Sequence, residues 1–113
     1  MKNKLKLQNW DEFMQDKLAK NPEEILLYLD VSLEEYEKDG DMEALLLAIK
    51  QIAEVKGGMT ELAKNTGLSR QNLYKIFSHK ISPRFENLVK ILNALGYTFS
   101  IKKVVNDWSD PLY

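Results

Sequence analysis

The chain has 113 residues, enough for one domain with its own apolar core, and 44% of them are hydrophobic. It has no cysteine, which excludes disulfides, thiolate metal sites and a cysteine nucleophile. The net charge of −1 conceals two halves of opposite sign. Residues 1–58 hold 8 Lys/Arg against 13 Asp/Glu, whereas residues 59–104 hold 8 Lys/Arg against Glu61 and Glu86 alone. The second half is therefore +6, and the last nine residues add −2. A local field of that sign suits a polyanion, although the overall pI near 5.9 does not advertise one.

Residues 1–20 form an N-terminal arm in this reading. Leu5 and Leu7 fit a short strand, while Trp10, Phe13, Met14 and Leu18 have helical spacing, with Asp11 as a cap. A loosely ordered arm fits as well. The basic start is followed by no apolar signal core. No apolar run approaches the ~20 residues of a membrane span. A soluble, cytoplasmic protein is expected.

Asn21-Pro22-Glu23-Glu24 opens a helix with a cap residue, a first-turn proline and two acids. Ile25, Leu26, Leu29, Leu33 and Tyr36 recur at the helical period, opposite Asp30, Glu34, Glu35 and Lys38. Gly40 ends this helix, and Asp41 opens the next. Met42, Leu45, Leu46, Ile49, Ile52 and Ala53 make the apolar face of the second, which stops at Gly57-Gly58. The short link predicts an antiparallel, acidic helical hairpin over residues 21–58. Gly57-Gly58 lacks the Lys-Ser/Thr ending of a phosphate loop and reads as a helix stop.

Shorter elements follow. Thr60 to Asn65 fits two helical turns, Thr66-Gly67-Leu68 a tight turn, and Ser69 an N-cap for a helix from Arg70 to Ser78. A turn this tight requires positive φ, which a β-carbon disfavours, so the glycine at position 67 is informative. Ala63, four residues earlier, leaves room for the second helix to cross closely. Leu68, Leu73, Ile76 and Phe77 face inward. Pro83 begins a further helix with Phe85, Leu88, Val89, Ile91, Leu92 and Leu95 apolar, closed by Gly96. From Tyr97 to Val105 the period changes to two, which predicts a strand. The acidic end, 106–113, reads as a mobile tail.

The expected fold is therefore all-α: about five helices built around a helix-turn-helix over residues 59–105, preceded by the hairpin and followed by a short C-terminal β-strand. The outer surface of the helix after Ser69 carries major-groove chemistry. Arginine pairs bidentately with guanine, and glutamine or asparagine with adenine. Residues at the start of such a helix reach base edges. Ser69, Arg70, Gln71, Asn72 and Lys75 are the candidate base readers, Ser69 and Asn72 serving phosphates equally well. Lys64, His79, Lys80, Ser82 and Arg84 suit phosphates. Tyr74 either joins that phosphate set or packs beside Phe77. The amides opening the helix at Pro83 offer a further phosphate site. His79 is the sole histidine, so no metal site is expected. No nucleophile–base pair is found either, and an enzyme is not expected.

The stretch from Met59 to Gly96 resembles the helix-turn-helix of Xre/Cro-type regulators. Gly67-Leu68-Ser69-Arg70, Leu73-Tyr74, Pro83-Arg84-Phe85 and Ala94-Leu95-Gly96 carry the likeness. Upstream, Asn21-Pro22-Glu23-Glu24-Ile25, Tyr28-Leu29, Leu33-Glu34-Glu35, Gly40-Asp41 and Lys56-Gly57-Gly58-Met59 are similar to the addiction-module antidote group of HigA-like antitoxins. The likeness covers about residues 10–104. It implies a λ-repressor-like DNA-binding fold and a homodimer on an inverted-repeat duplex DNA operator. It also implies repression of the protein's own operon and neutralisation of a cognate RelE/ParE-superfamily toxin, with no cofactor or small-molecule substrate. A stand-alone Xre regulator, or an interaction module without DNA binding, are the alternatives. Leu88 to Val104, which follows the reading unit, is the expected dimer surface.

Overall fold

Two glycines and two short polar caps set most of the chain's corners. A computed structural model describes residues 2–104, with side chains from residue 9 onward. It contains six α-helices among the described residues: α1 (Lys2–Lys20), α2 (Ile25–Asp39), α3 (Met42–Val55), α4 (Gly58–Thr66), α5 (Arg70–Phe77) and α6 (Phe85–Ala94). The all-α expectation agrees with this architecture. The tail at 106–113 lies outside the described residues.

The N-terminal segment is a helix and not a loose arm. Leu5 and Leu7 lie within it, so the short strand expected there is not formed. Asp11 sits mid-helix instead of capping it, and its carboxylate accepts from Gln15 Nε2 at 3.2 Å. The helix is held by burial of Met14 and Leu18 against the rest of the core, a tertiary gain that local propensity does not reveal.

Pro22–Glu24 forms a single 3₁₀ turn leading into α2. Asn21 does not cap it. Its side chain turns back and donates to the Lys17 carbonyl at 2.8 Å, closing α1 instead. Gly40 ends α2 at φ 69°, a left-handed position that disfavours side chains, and its N–H reaches the Tyr36 carbonyl at 2.7 Å. Asp41 then caps α3 by accepting from Ala44 N–H at 3.1 Å. The hairpin of α2 and α3 thus forms as its sequence implies.

α3 is the central element. It packs against α1, α2, α4 and α5, and it buries Leu45, Leu46, Ala48, Ile49, Gln51, Ile52 and Ala53. Leu62, Leu73, Ile91 and Leu92 complete one continuous core from the other side. Among the described residues, Gln51 is the one polar residue buried there, at 0% exposure. Its Oε1 accepts from the Tyr28 hydroxyl, and its Nε2 has no partner. Burial pushes the Tyr28 phenol above its usual value of 10.0; the Trp10 indole N–H pulls it partly back, and the Asp11 charge adds to the rise.

A raised folded-state pKa favours the neutral phenol in the native protein. Its stabilisation is complete below pH ~10 and is lost as pH rises through the folded value. Tyr28→Phe should remove this alkaline loss. It should also cost about 1–3 kcal/mol at neutral pH, because Gln51 then loses its only donor. Urea unfolding at pH 7 and above pH 10 checks both effects.

The strand expected over Tyr97–Val105 is not formed among the described residues, which contain no strand. The alternation is real at its start: Tyr97 and Phe99 pack inward while Thr98 and Ser100 face out. Lys56 Nζ lies 5.0 Å from the Tyr97 ring centroid, and Phe99 meets Phe85 at 5.3 Å. A strand, however, is defined by a hydrogen-bonded neighbour, and no other described segment is extended enough to supply one. Beyond Phe99 the alternation stops, with Ile101 at 100% exposure.

Candidate nucleic-acid interface

α4 and α5 are joined by Gly67-Leu68-Ser69 in a helix–turn–helix succession. Gly67 adopts φ 78°, as the sequence requires of this position. Its N–H donates to the Ala63 carbonyl at 2.9 Å. Thr66 Oγ1 donates to the Leu62 carbonyl at 2.8 Å and accepts from Leu68 N–H at 3.1 Å. The turn is therefore tied on both sides. Ser69 starts α5 by accepting from Asn72 N–H at 3.0 Å, which leaves its hydroxyl proton free to donate.

Leu73 and Ile76 fix the inner side of α5. The helical repeat then places Arg70, Gln71, Tyr74 and Lys75 outward as one stripe, all exposed. Asn72 falls on the flank and is half-buried. Arg70 Nη2 donates to the Tyr74 hydroxyl at 3.4 Å, and its guanidinium carbon lies 5.9 Å from the Tyr74 ring centroid. Tyr74 thus steadies the arginine at the head of the stripe and is not tucked beneath it.

These residues line an open concavity of about 670 Å³ together with Lys50, Phe77, Ser78 and Lys80. Arg70, Lys75, Lys80 and Lys50 put four cations there, and among the described residues no carboxylate lines it. Lys50 belongs to α3, two elements away in sequence, and was not among the expected contacts. Its only signal is that it is the one cation within α3. Ser78, at the end of α5, also extends the stripe, although its hydroxyl donates to the Lys75 carbonyl at 3.0 Å.

The other expected phosphate ligands lie outside the concavity. Lys64 is exposed in the last turn of α4. His79 takes a left-handed conformation, φ 56°, as it turns the chain out of α5. Ser82 is exposed. Arg84 is exposed and paired with Glu86 at 3.5 Å, which draws its charge away from an anion. α6 begins at Phe85 with Arg84 as its cap residue, so the free amides of its first turn start two residues later than the Pro83 start expected from sequence.

Among the described residues no group of His, Asp or Glu is arranged to hold a metal, and no helix is long and apolar enough to cross a membrane. The site is thus one face of α5 lining an open cationic hollow, on a small helical protein. The family model described as "Probable addiction module antidote protein" matches residues 7–103. The chain belongs to that family, whose description supports an antitoxin role. A Haemophilus influenzae protein with the printed name "Uncharacterized protein" is 35% identical over 81 residues, covering 72% of this chain and 78% of the relative. No solved structure matches the chain.

Proposed function

We propose that this protein is a DNA-binding antitoxin. It grips operator DNA with α5, represses its own operon as a dimer, and neutralises a cognate toxin of the RelE/ParE superfamily. The observation that carries the DNA half of this reading is the concavity itself. Four cations converge on it without an acid, around a helix face bearing Arg70 and Gln71. In a chain of net charge −1, that arrangement is a local field shaped for phosphate beside groups suited to base edges. Arg70, Gln71 and Lys75 read bases. Lys50 and Lys80 hold the backbone, with Lys64, His79 and Ser82 further out along the same strand.

Dimerisation completes the reading. The segment after Gly96 forms no strand among the described residues, and its Tyr97 and Phe99 pack against the core. Antiparallel pairing of this segment with its copy across a two-fold is self-complementary. Two-fold copies of a helix-turn-helix read half-sites ~34 Å apart.

Arg70→Ala tests the base-reading assignment. Operator affinity should fall by about 1–3 kcal/mol, with selectivity relaxed at one base position and thermal stability unchanged. The measurement is a mobility-shift titration on the DNA upstream of the protein's own reading frame and on single-base variants of it. Unchanged affinity and selectivity would remove Arg70 from the reading set.

A further inference from the structure

A second depression lies between α1, α2 and the start of α3, and it shares no lining residue with the DNA-facing concavity. Its volume is about 300 Å³. Trp10, Tyr28, Val31 and Tyr36 supply aromatic and aliphatic walls. Among the described residues, Glu35, Asp39 and Asp41 supply its only formal charges, and no Lys or Arg lines it. Two of these acids are fixed in place: Asp39 Oδ1 accepts from Asp41 N–H at 2.9 Å, and Asp41 Oδ1 accepts from Ala44 N–H at 3.1 Å. Each keeps its second oxygen for another donor. Glu35 has a contact with Lys38 at 3.9 Å, with both side chains mostly exposed, an attraction that water largely screens.

The surface around this hollow is apolar to a degree that a solvated face does not need. Trp10 is 47% exposed and Phe13 57%, their rings 6.0 Å apart. On α2, one turn apart, Leu27 is 64% exposed and Val31 44%. Large apolar groups bordering an acidic, aromatic-walled pocket are the chemistry of a protein interface. A nucleic acid is repelled by the rim. A basic protein is attracted by it, and an arginine or lysine entering the hollow meets aromatic faces and carboxylates together.

The geometry points to this hollow and its apolar shoulder as the docking surface for a basic protein partner, anchored by one cationic side chain inserted between Trp10, Tyr28 and the Glu35–Asp39–Asp41 rim. The inference rests on the antitoxin reading, under which that partner is the toxin. The protein accordingly uses opposite charges for its two ligands, cations around α5 for DNA and carboxylates beside α2 for protein.

The test uses the full chain co-expressed with the product of the adjacent reading frame, followed by titration calorimetry of the separated partners. Val31→Arg and Glu35→Lys should each weaken the complex about tenfold or more. Both positions are exposed, so thermal melting and operator binding should stay as in wild type. Leu26→Arg, on the side of α2 facing the C-terminal segment, should bind the partner normally. If wild type and both variants bind equally, the hollow is not the docking surface and the antitoxin reading stands. If wild type binds no such partner, the antitoxin reading itself falls, and this surface with it.

Discussion

Leu73→Ala should lower the stability of the protein by about 2–5 kcal/mol and take operator binding with it. Leu73 is 0% exposed and lies at the centre of the inner side of α5. That helix is only eight residues long, too short to persist on its own propensity. Its orientation comes from Leu73 and Ile76 seated in the core beneath, with Ser69 holding its first turn. Removing Cγ and its two methyl groups leaves a cavity where α5 is anchored. Urea unfolding gives the loss of stability, and a mobility-shift titration at a temperature where the variant remains folded gives the loss of affinity. The contrast with Arg70→Ala is the informative part. One variant should lose stability and binding together, and the other binding alone.

The second large effect is ionic. Four cations surround the α5 stripe, namely Lys50, Arg70, Lys75 and Lys80. Lys50 and Lys80, the two that hold the backbone, each displace a condensed counterion, so the logarithm of affinity falls with the logarithm of salt at a slope of about −2 per copy, or roughly a hundredfold per dimer between 50 and 200 mM. Lys50→Ala should reduce that slope by about one while leaving sequence preference intact, since a phosphate contact positions without reading. Fluorescence-anisotropy titrations over a salt series measure both numbers. A slope unaffected by Lys50→Ala would place α3 outside the DNA contact.

The parts of this fold that could be read from sequence are those decided within a few residues. Gly40, Asp41, Gly67 and Ser69 each solve a local problem of sterics or capping, and each is found where that problem occurs. The stripe of Arg70, Gln71, Tyr74 and Lys75 follows from the helical repeat once Leu73 and Ile76 point inward. What could not be read depends on distant partners. α1 is a helix because Met14 and Leu18 find the core, and its own pattern fitted an arm equally well. Tyr97 to Val105 alternates like a strand, yet a ladder needs a neighbour that the described chain does not provide. Lys50 joins the concavity only because α3 packs against α5, a pairing no local pattern encodes. Asn21, a good cap by type, is instead drawn to the carbonyl of Lys17.

The central position of α3 has a last consequence. Leu47 lines the acidic hollow and Lys50 the cationic one. Three residues apart on one helix, they stand on the same face, about 5 Å along its axis. Under the proposed function, ligands of opposite charge meet the protein at adjoining addresses on this one helix. Whatever occupancy of one hollow does to affinity at the other, linkage requires that it be returned in equal measure.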